Sequence, residues 1–168
     1  KIPGDTKEMT DARRSFLNRG FYEIFSDSLN ELVLKYADDN AVIIDAGCGE
    51  GYYTGRLQSF LSEKGKSFSI SGFDISKSAV KAAAKAYKNI DFCVASIFDI
   101  PVSDGKADIV INIFAPMQEN EIGRILKKDG IMIFAVPSER HLWGLKKELY
   151  KNPYENEYKD TDYKGFRF

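Results

Sequence analysis

The chain has 168 residues, 43% of them hydrophobic and 29% charged, with a formal net charge of −1. That length suits one globular unit with a sizeable core, and the charge balance excludes a broadly basic nucleic-acid-gripping surface, leaving only local patches for that task. No apolar run is long enough to span a bilayer, and two cysteines, Cys48 and Cys93, with His141 as the only histidine, exclude a disulfide framework and a zinc site made by this chain alone. Both thiols are expected to be reduced and buried in a cytoplasmic protein. The start, Lys1-Ile2-Pro3-Gly4-Asp5, is no signal peptide and lacks an initiator methionine, so the chain reads as a piece of a longer one.

Apolar spacing predicts a helix over 7–17, with Thr6 or Asp5 as its N-cap, and a break at Asn18-Arg19-Gly20. A second helix is expected over 21–36, on the stripe Phe21, Ile24, Phe25, Leu29, Leu32, Val33 and Tyr36. After the turn Asp38-Asp39-Asn40, the run Ala41 to Ile44 is continuous and β-branched, as suits a strand buried on both faces of a parallel sheet. A glycine-rich turn follows, then a helix with Tyr53, Leu57, Phe60 and Leu61 on one stripe, ending near Glu63-Lys64-Gly65. Strands over 68–73, 91–95, 107–114 and 131–136 alternate with helices over 76–87, 119–126 and 139–150, the last capped by Ser138. Asp104-Gly105 and Lys127-Lys128-Asp129-Gly130 read as turns, and Lys77, Lys81, Lys85 and Lys88 as a solvated helix face, with a phosphate-binding stripe as the alternative. Beyond Tyr150 the chain is polar and shows no core element. The alternation defines an α/β fold: a doubly wound, mostly parallel, Rossmann-like sheet with helices on both faces. Three parts are expected: an N-terminal helical segment over 1–40, the core over 41–150, and a polar, truncated tail over 151–168.

Such sheets bind ligands at the carboxyl ends of their strands. Asp45 stands at the first of these ends, followed by Gly47, Gly49 and Gly51 and then a helix. Strand, glycine turn and helix together aim unpaired N–H groups at a ligand while leaving room for it at contact distance. A dinucleotide fingerprint would need a glycine at position 52, where Tyr52 stands. The spacing D-x-G-x-G-x-G instead resembles motif I of S-adenosylmethionine-dependent methyltransferases of the doubly wound class. A glycine turn in some other α/β protein is the plain alternative. Asp74, with Ile75 beside it, ends the second strand, where an acid can accept both ribose hydroxyls of an adenosine ligand. The alternative for Asp74 is a cap on the helix that begins at Ser76. Ser96 and Ile97 follow the third strand, where an adenine would be sandwiched and its amino group read. Asn112 and Phe114 end the fourth and should face the transferable methyl group.

The stretches GDTKEMTDARRSFL (4–17), DAGCGEGYYT (45–54), FDISKSAVKAAAKAY (73–87), FCVAS (92–96), IFAP (113–116) and PSERHLWGLKKELY (137–150) resemble the RlmA (RrmA) family. Its members are bacterial S-adenosylmethionine-dependent methyltransferases that modify N1 of a guanine in large-subunit ribosomal RNA. The likeness covers most of the chain in the family's order. It implies S-adenosylmethionine as cofactor and ribosomal RNA as partner. It also implies cofactor contacts at Tyr22, at Tyr53 and Thr54, and at His141, with Tyr22 and His141 closing over the methionine end. The plain alternative for His141 is a helix-terminal residue without a ligand. Asp45 would serve the cofactor, Asn112 would orient the acceptor base and Phe114 would stack on it. Arg13, Arg14 and Arg140 are candidates for phosphate contacts, with surface salt bridges as the alternative.

Family members also carry an N-terminal zinc-binding cysteine module, absent here, and final strands after the last helix. The sheet is therefore expected to lack its C-terminal strands. Two other functions share the fold and cofactor: a small-molecule methyltransferase and a non-catalytic S-adenosylmethionine-binding module. Tyr52 weighs against a nicotinamide-dependent dehydrogenase. The oligomeric state stays open, a homodimer among the choices, and no membrane partner is expected.

Overall fold

A computed structural model describes residues 4–167; the segment 1–3, read above as part of a start without a signal peptide, and Phe168 lie outside the described residues. Helices α1 (Lys7–Leu17) and α2 (Glu23–Tyr36) lead into β1 (Ala41–Ala46), α3 (Tyr52–Glu63), β2 (Phe68–Asp74) and α4 (Lys77–Ala86). There follow β3 (Asp91–Val94), β4 (Ala107–Ile113), α5 (Glu119–Ile125), β5 (Leu126–Ala135) and α6 (Trp143–Leu149). The strands form one five-stranded sheet in the order β3-β2-β1-β4-β5, every neighbouring pair parallel. The chain leaves β1 toward β2 on one side and returns to β4 on the other. The carboxyl ends of β1 and β4 therefore flank the crevice where such sheets take ligands.

Alternate side chains of the central strands enter two apolar layers. Ile43, Ile109 and Ile111 pack with Leu29, Val33, Leu57 and Leu61 on one face. Ile44, Ala46 and Val110 pack with Ile122, Ile125 and Leu126 on the other. Burial on both faces is why β1 and β4 are uninterrupted apolar runs in the sequence. Thr6 caps α1 by accepting from the Met9 N–H, and Ser76 caps α4 by accepting from the Ala79 N–H.

Several boundaries differ from the periodicity. α2 starts at Glu23 because Gly20 turns left-handed at φ +82° and its carbonyl accepts the Glu23 N–H at 3.0 Å. β4 stops at Ile113, since Phe114 takes φ +54°. The expected turn Lys127–Gly130 belongs instead to β5: Leu126 pairs with Ala107 and Ile131 with Ile109, so the extra residues form a bulge around left-handed Asp129. The last helix begins only at Trp143, and Ser138 does not cap it. The Ser138 carbonyl accepts the His141 N–H at 3.1 Å, and Leu142 at φ +57° breaks any continuous helix. Cys48 is buried, but Cys93 lies exposed on edge strand β3, contrary to the expectation of two buried thiols. The tail forms no helix or strand, yet it is not idle. Phe166 packs against the layer around Ile122 and Ile125, and the Tyr163 ring meets Phe134 edge-on at 5.1 Å.

Leu57→Ala should cost about 2–5 kcal/mol, because a fully buried side chain leaves a cavity. Leu149→Ala, at a residue 68% exposed, should change little. Urea unfolding of both variants checks the contrast.

Candidate active site

The loop that leaves β1 is built on left-handed glycines: Gly47 at φ +89°, Gly49 at +56° and Gly51 at +82°. The Phe73 carbonyl accepts from both the Gly47 N–H (2.9 Å) and the Cys48 N–H (3.0 Å), pinning the loop to β2. At Gly47 a Cβ would stand 2.4 Å from the Ala115 methyl, so the chain from β4 passes directly against this turn. Gly49 is different. Its side faces open space, with only Arg13 Nη1 within 4 Å, at 3.9 Å, among the described residues.

Asp74 joins the two sides of this opening. Its Oδ2 accepts the Gly49 N–H at 3.0 Å and its Oδ1 accepts the Ser76 N–H at 2.7 Å. Asp74 is thus not the cap of α4, a place Ser76 takes; it holds the N–H of that cap residue and braces the glycine loop. The Ala95 N–H donates to the Asp74 carbonyl at 3.1 Å, which sets Ser96 and Ile97 beside Asp74 and Ile75. Ser96 Oγ accepts the Phe98 N–H at 3.1 Å, Ile97 is half-buried and Ile75 is exposed.

Asp45 lies beneath the loop, 2% exposed, and accepts from the Thr54 hydroxyl at 2.5 Å. Burial pushes its carboxyl up to about 7; the Thr54 hydroxyl pulls it down, and the nearby Asp74 carboxylate raises it further. Asn112 is fully buried and donates to the carbonyls of Ala46 (2.9 Å) and Pro116 (3.1 Å). Its Oδ1 has no partner among the described residues, so its free hydrogen-bonding capacity is that of an acceptor.

Five rings gather beside the end of β4. The Tyr22 hydroxyl and His141 Nε2 lie 2.8 Å apart, across 119 positions of sequence. Burial raises Tyr22, keeping its hydroxyl neutral and able to donate to that nitrogen. His141 stacks on Phe114 at 5.4 Å and 19°, and the Phe114 ring meets Phe25 at 5.5 Å and Tyr22 edge-on at 6.0 Å. Tyr53 joins through an edge contact with Phe25 at 5.6 Å. The structure thus gathers Tyr22, Tyr53, Phe114 and His141 on one side, and Asp74, Ile75, Ser96 and Ile97 on the other, with the glycine loop between.

Two members escaped the sequence reading. Phe25 was visible only as one residue of an apolar helix stripe. Glu50, between two glycines, is 4% exposed with Oε1 unpartnered. Burial raises its carboxyl; a backbone hydrogen bond and the charges of Arg13 and Arg14 pull it down. A lone acid inside a glycine loop was the signal that could have singled it out.

A parallel sheet in this order, with a glycine loop braced by acids at the ends of β1 and β2, is the architecture of a doubly wound nucleoside-binding protein. The chain belongs to the methyltransferase-domain family, which matches residues 37–164. A Bacillus subtilis protein, YxjB, assigned as a 23S rRNA (guanine-N1)-methyltransferase, is 33% identical over 157 residues, covering 92% of this chain and 55% of that one. The 23S rRNA (guanine(748)-N1)-methyltransferase of Streptomyces fradiae is 33% identical over 146 residues, covering 84% and 50%. The chain therefore spans about half the length of the curated relatives it matches. A structure assigned as an S-adenosylmethionine-dependent methyltransferase of Methanococcus maripaludis superposes with a TM-score of 0.67 at 20% identity, over 89% of this chain and 74% of that one, which shows the shared fold. The residues fit that cofactor: the side of Gly49 is an open cradle that a Cβ would fill, next to the Asp74 carboxylate and the orphaned, buried Glu50 Oε1.

Gly47→Ala should lower stability by about 1–3 kcal/mol through the clash with Ala115, beyond its left-handed strain. Gly105→Ala, left-handed but with nothing within 4 Å, should carry only the strain, and chemical unfolding separates the two. Asp45 adds a pH signature. A raised folded-state pKa means that the folded protein holds this proton more tightly than the unfolded one, so stability falls as pH rises from about 4 to 7. The slope from this group approaches roughly 1 kcal/mol per pH unit. Asp45→Asn should flatten that part of the stability profile, measured by urea melts across the range.

Proposed function

We infer that the chain is the catalytic part of an S-adenosylmethionine-dependent methyltransferase that acts on N1 of a guanine in 23S ribosomal RNA. The observation that carries the reading is the meeting of the glycine-loop cradle with the ring cluster Tyr22–Phe114–His141 at the β1–β4 crevice. Support for the acceptor comes from relatives named for this reaction at 33% identity over most of the chain. An enzyme acting on that acceptor would work in the cytoplasm.

When bound, S-adenosylmethionine supplies a methyl carbon on a sulfonium, already a good leaving group, so alignment is the main task left to the protein. Asp74 with Ile75 would hold the ribose, Ser96 and Ile97 the adenine, and Gly47, Gly49 and Gly51 the backbone approach. Asp45 and Thr54 support the loop from below. Tyr22, Tyr53 and His141 wall off the methionine end. Phe114, 39% exposed and held at φ +54° by the turn after β4, offers its ring as a stacking surface for an extruded guanine. Asn112 fixes the floor beneath that ring through its bonds to Ala46 and Pro116. Neutral guanine N1 carries a proton that must leave, so a donor to the developing charge on O6 or an acceptor for N1–H is required.

The test is transfer of labelled methyl from S-adenosylmethionine to 23S ribosomal RNA, with reverse transcription across the product. Methylation at N1 blocks base pairing, so a new stop at a guanine is the expected result. The net charge of −1 favours a second reading, a small-molecule acceptor on the same fold. Binding of the cofactor without any RNA stop would favour it.

Asp74→Asn retains an oxygen for the Ser76 N–H but removes the charge. It should weaken S-adenosylhomocysteine at least about tenfold, as expected for loss of a charged hydrogen-bond acceptor, and it should also lower the melting temperature, because the amide NH2 then faces the Gly49 N–H that an oxygen accepted. Calorimetry and melting curves together check this.

A further inference from the structure

α1 lies against α4 and is tied down where it begins. The Asp5 carbonyl accepts the hydroxyls of Ser76 at 2.7 Å and Ser78 at 2.9 Å, and the Thr10 hydroxyl lies 3.4 Å from that of Ser78. Gly4 packs so closely that a Cβ on it would meet the Ser76 nitrogen at 2.8 Å. These contacts seat α1 on the N-terminus of α4, directly beside Asp74. A side chain two turns along α1 is then delivered over the glycine loop, and that side chain is Arg13. Its guanidinium is the only group outside the loop within 4 Å of the open side of Gly49, among the described residues. Its Nη1 pairs with the Asp5 carboxylate, while about half of the side chain stays exposed.

The rest of the cradle is acidic: Asp5, Asp45, Glu50 and Asp74 surround the loop, and Arg14 acts on the buried Glu50. The methionine end of S-adenosylmethionine is a zwitterion. Acids suit its ammonium group, but its carboxylate needs a cation, and a guanidinium fork matches two carboxylate oxygens. Resting on the cofactor reading above, we propose that Arg13 is the binding residue for the cofactor's α-carboxylate, exchanging its Asp5 partner for that group. The exchange replaces one carboxylate by another, so the guanidinium is paired before and after. Because Arg13 lies on α1 and its resting partner Asp5 immediately precedes that helix, one N-terminal segment supplies both the charge that recognises the occupant and the group that holds it at rest.

The experiment is calorimetric titration of the chain with two nucleosides. S-adenosylhomocysteine carries the α-carboxylate; 5′-methylthioadenosine keeps the adenosine and sulfur but lacks the amino-acid end. Arg13→Ala should weaken S-adenosylhomocysteine by roughly 10- to 100-fold, the range for hydrogen bonds to a charged group, and leave methylthioadenosine within about twofold. Arg13→Lys, which keeps the charge without the fork, should recover part of the loss. Asp5→Asn, which keeps the carbonyl seat on Ser76 and Ser78, should bind S-adenosylhomocysteine at least as well as the parent chain. Equal losses for both nucleosides, no loss for either, or an Asp5→Asn loss matching that of Arg13→Ala would each overturn the assignment. Failure of the parent chain to bind either nucleoside would instead overturn the cofactor reading, and the assignment with it.

Discussion

The Phe73 carbonyl takes two N–H groups, from Gly47 and Cys48, and so turns the chain sharply as it leaves β1. Most of the site depends on that turn. It requires left-handed backbone at Gly47, and there the Ala115 methyl presses from the far side, so no side chain fits. It also aims the Gly49 N–H at Asp74, which in turn holds the Ser76 N–H at the start of α4. One carboxylate therefore couples the loop after β1 to the helix after β2. The Asn112 amide does the equivalent on the other side, linking the end of β1 to the loop after β4 through Ala46 and Pro116. The crevice between β1 and β4 is held open by side chains whose hydrogen bonds are mostly spent on backbone.

Charge and apolar surface are divided across this crevice. Asp45 lies beneath the loop and Glu50 within it, both buried and both with carboxyls raised mainly by loss of water. Beside the end of β4 lie rings. The arrangement suits a ligand with a polar sugar at one end and a reactive, water-sensitive centre at the other. The Tyr22–His141 hydrogen bond joins a residue before α2 to one before α6, so the wall of rings is assembled from both ends of the chain. The tail contributes too: Lys164 N–H donates to Glu119 at 2.9 Å and Phe166 covers the layer beneath α5. A segment without regular structure can still complete a face of the core, because one aromatic ring buries as much surface as several smaller side chains.

Local signals in the sequence were enough where a residue's role depends on its neighbours in the chain. Apolar periodicity located the strands of the sheet and the helices between them, since burial on two faces leaves a continuous run and burial on one face leaves a stripe. Glycine spacing located the loop, since left-handed backbone is a local demand. The acids and polar residues at strand ends followed from the parallel topology, which sends all those ends to one edge. Asp74 was legible as an acid at that edge, but the cap of α4 is Ser76, and Asp74 instead ties the glycine loop to the N–H of that cap residue.

What the sequence could not carry was anything set by a partner far along the chain. The left-handed turns at Phe114 and Leu142, the bulge that extends β5 back to Leu126, and the late start of α6 all arise where backbone groups answer to other strands or to the ring cluster. The exposure of Cys93 follows from β3 lying at the sheet edge, a matter of strand order. Tyr22 meets His141 across 119 positions of sequence, and Arg13 reaches Gly49 from a helix seated on α4. The sequence by itself determined the elements, the glycine loop and the edge at which the site forms, because hydrophobic period and backbone sterics act over a few residues. Tertiary structure alone decided which side chains face each other across the opening, because those distances depend on strand order and helix seating rather than on spacing in the chain.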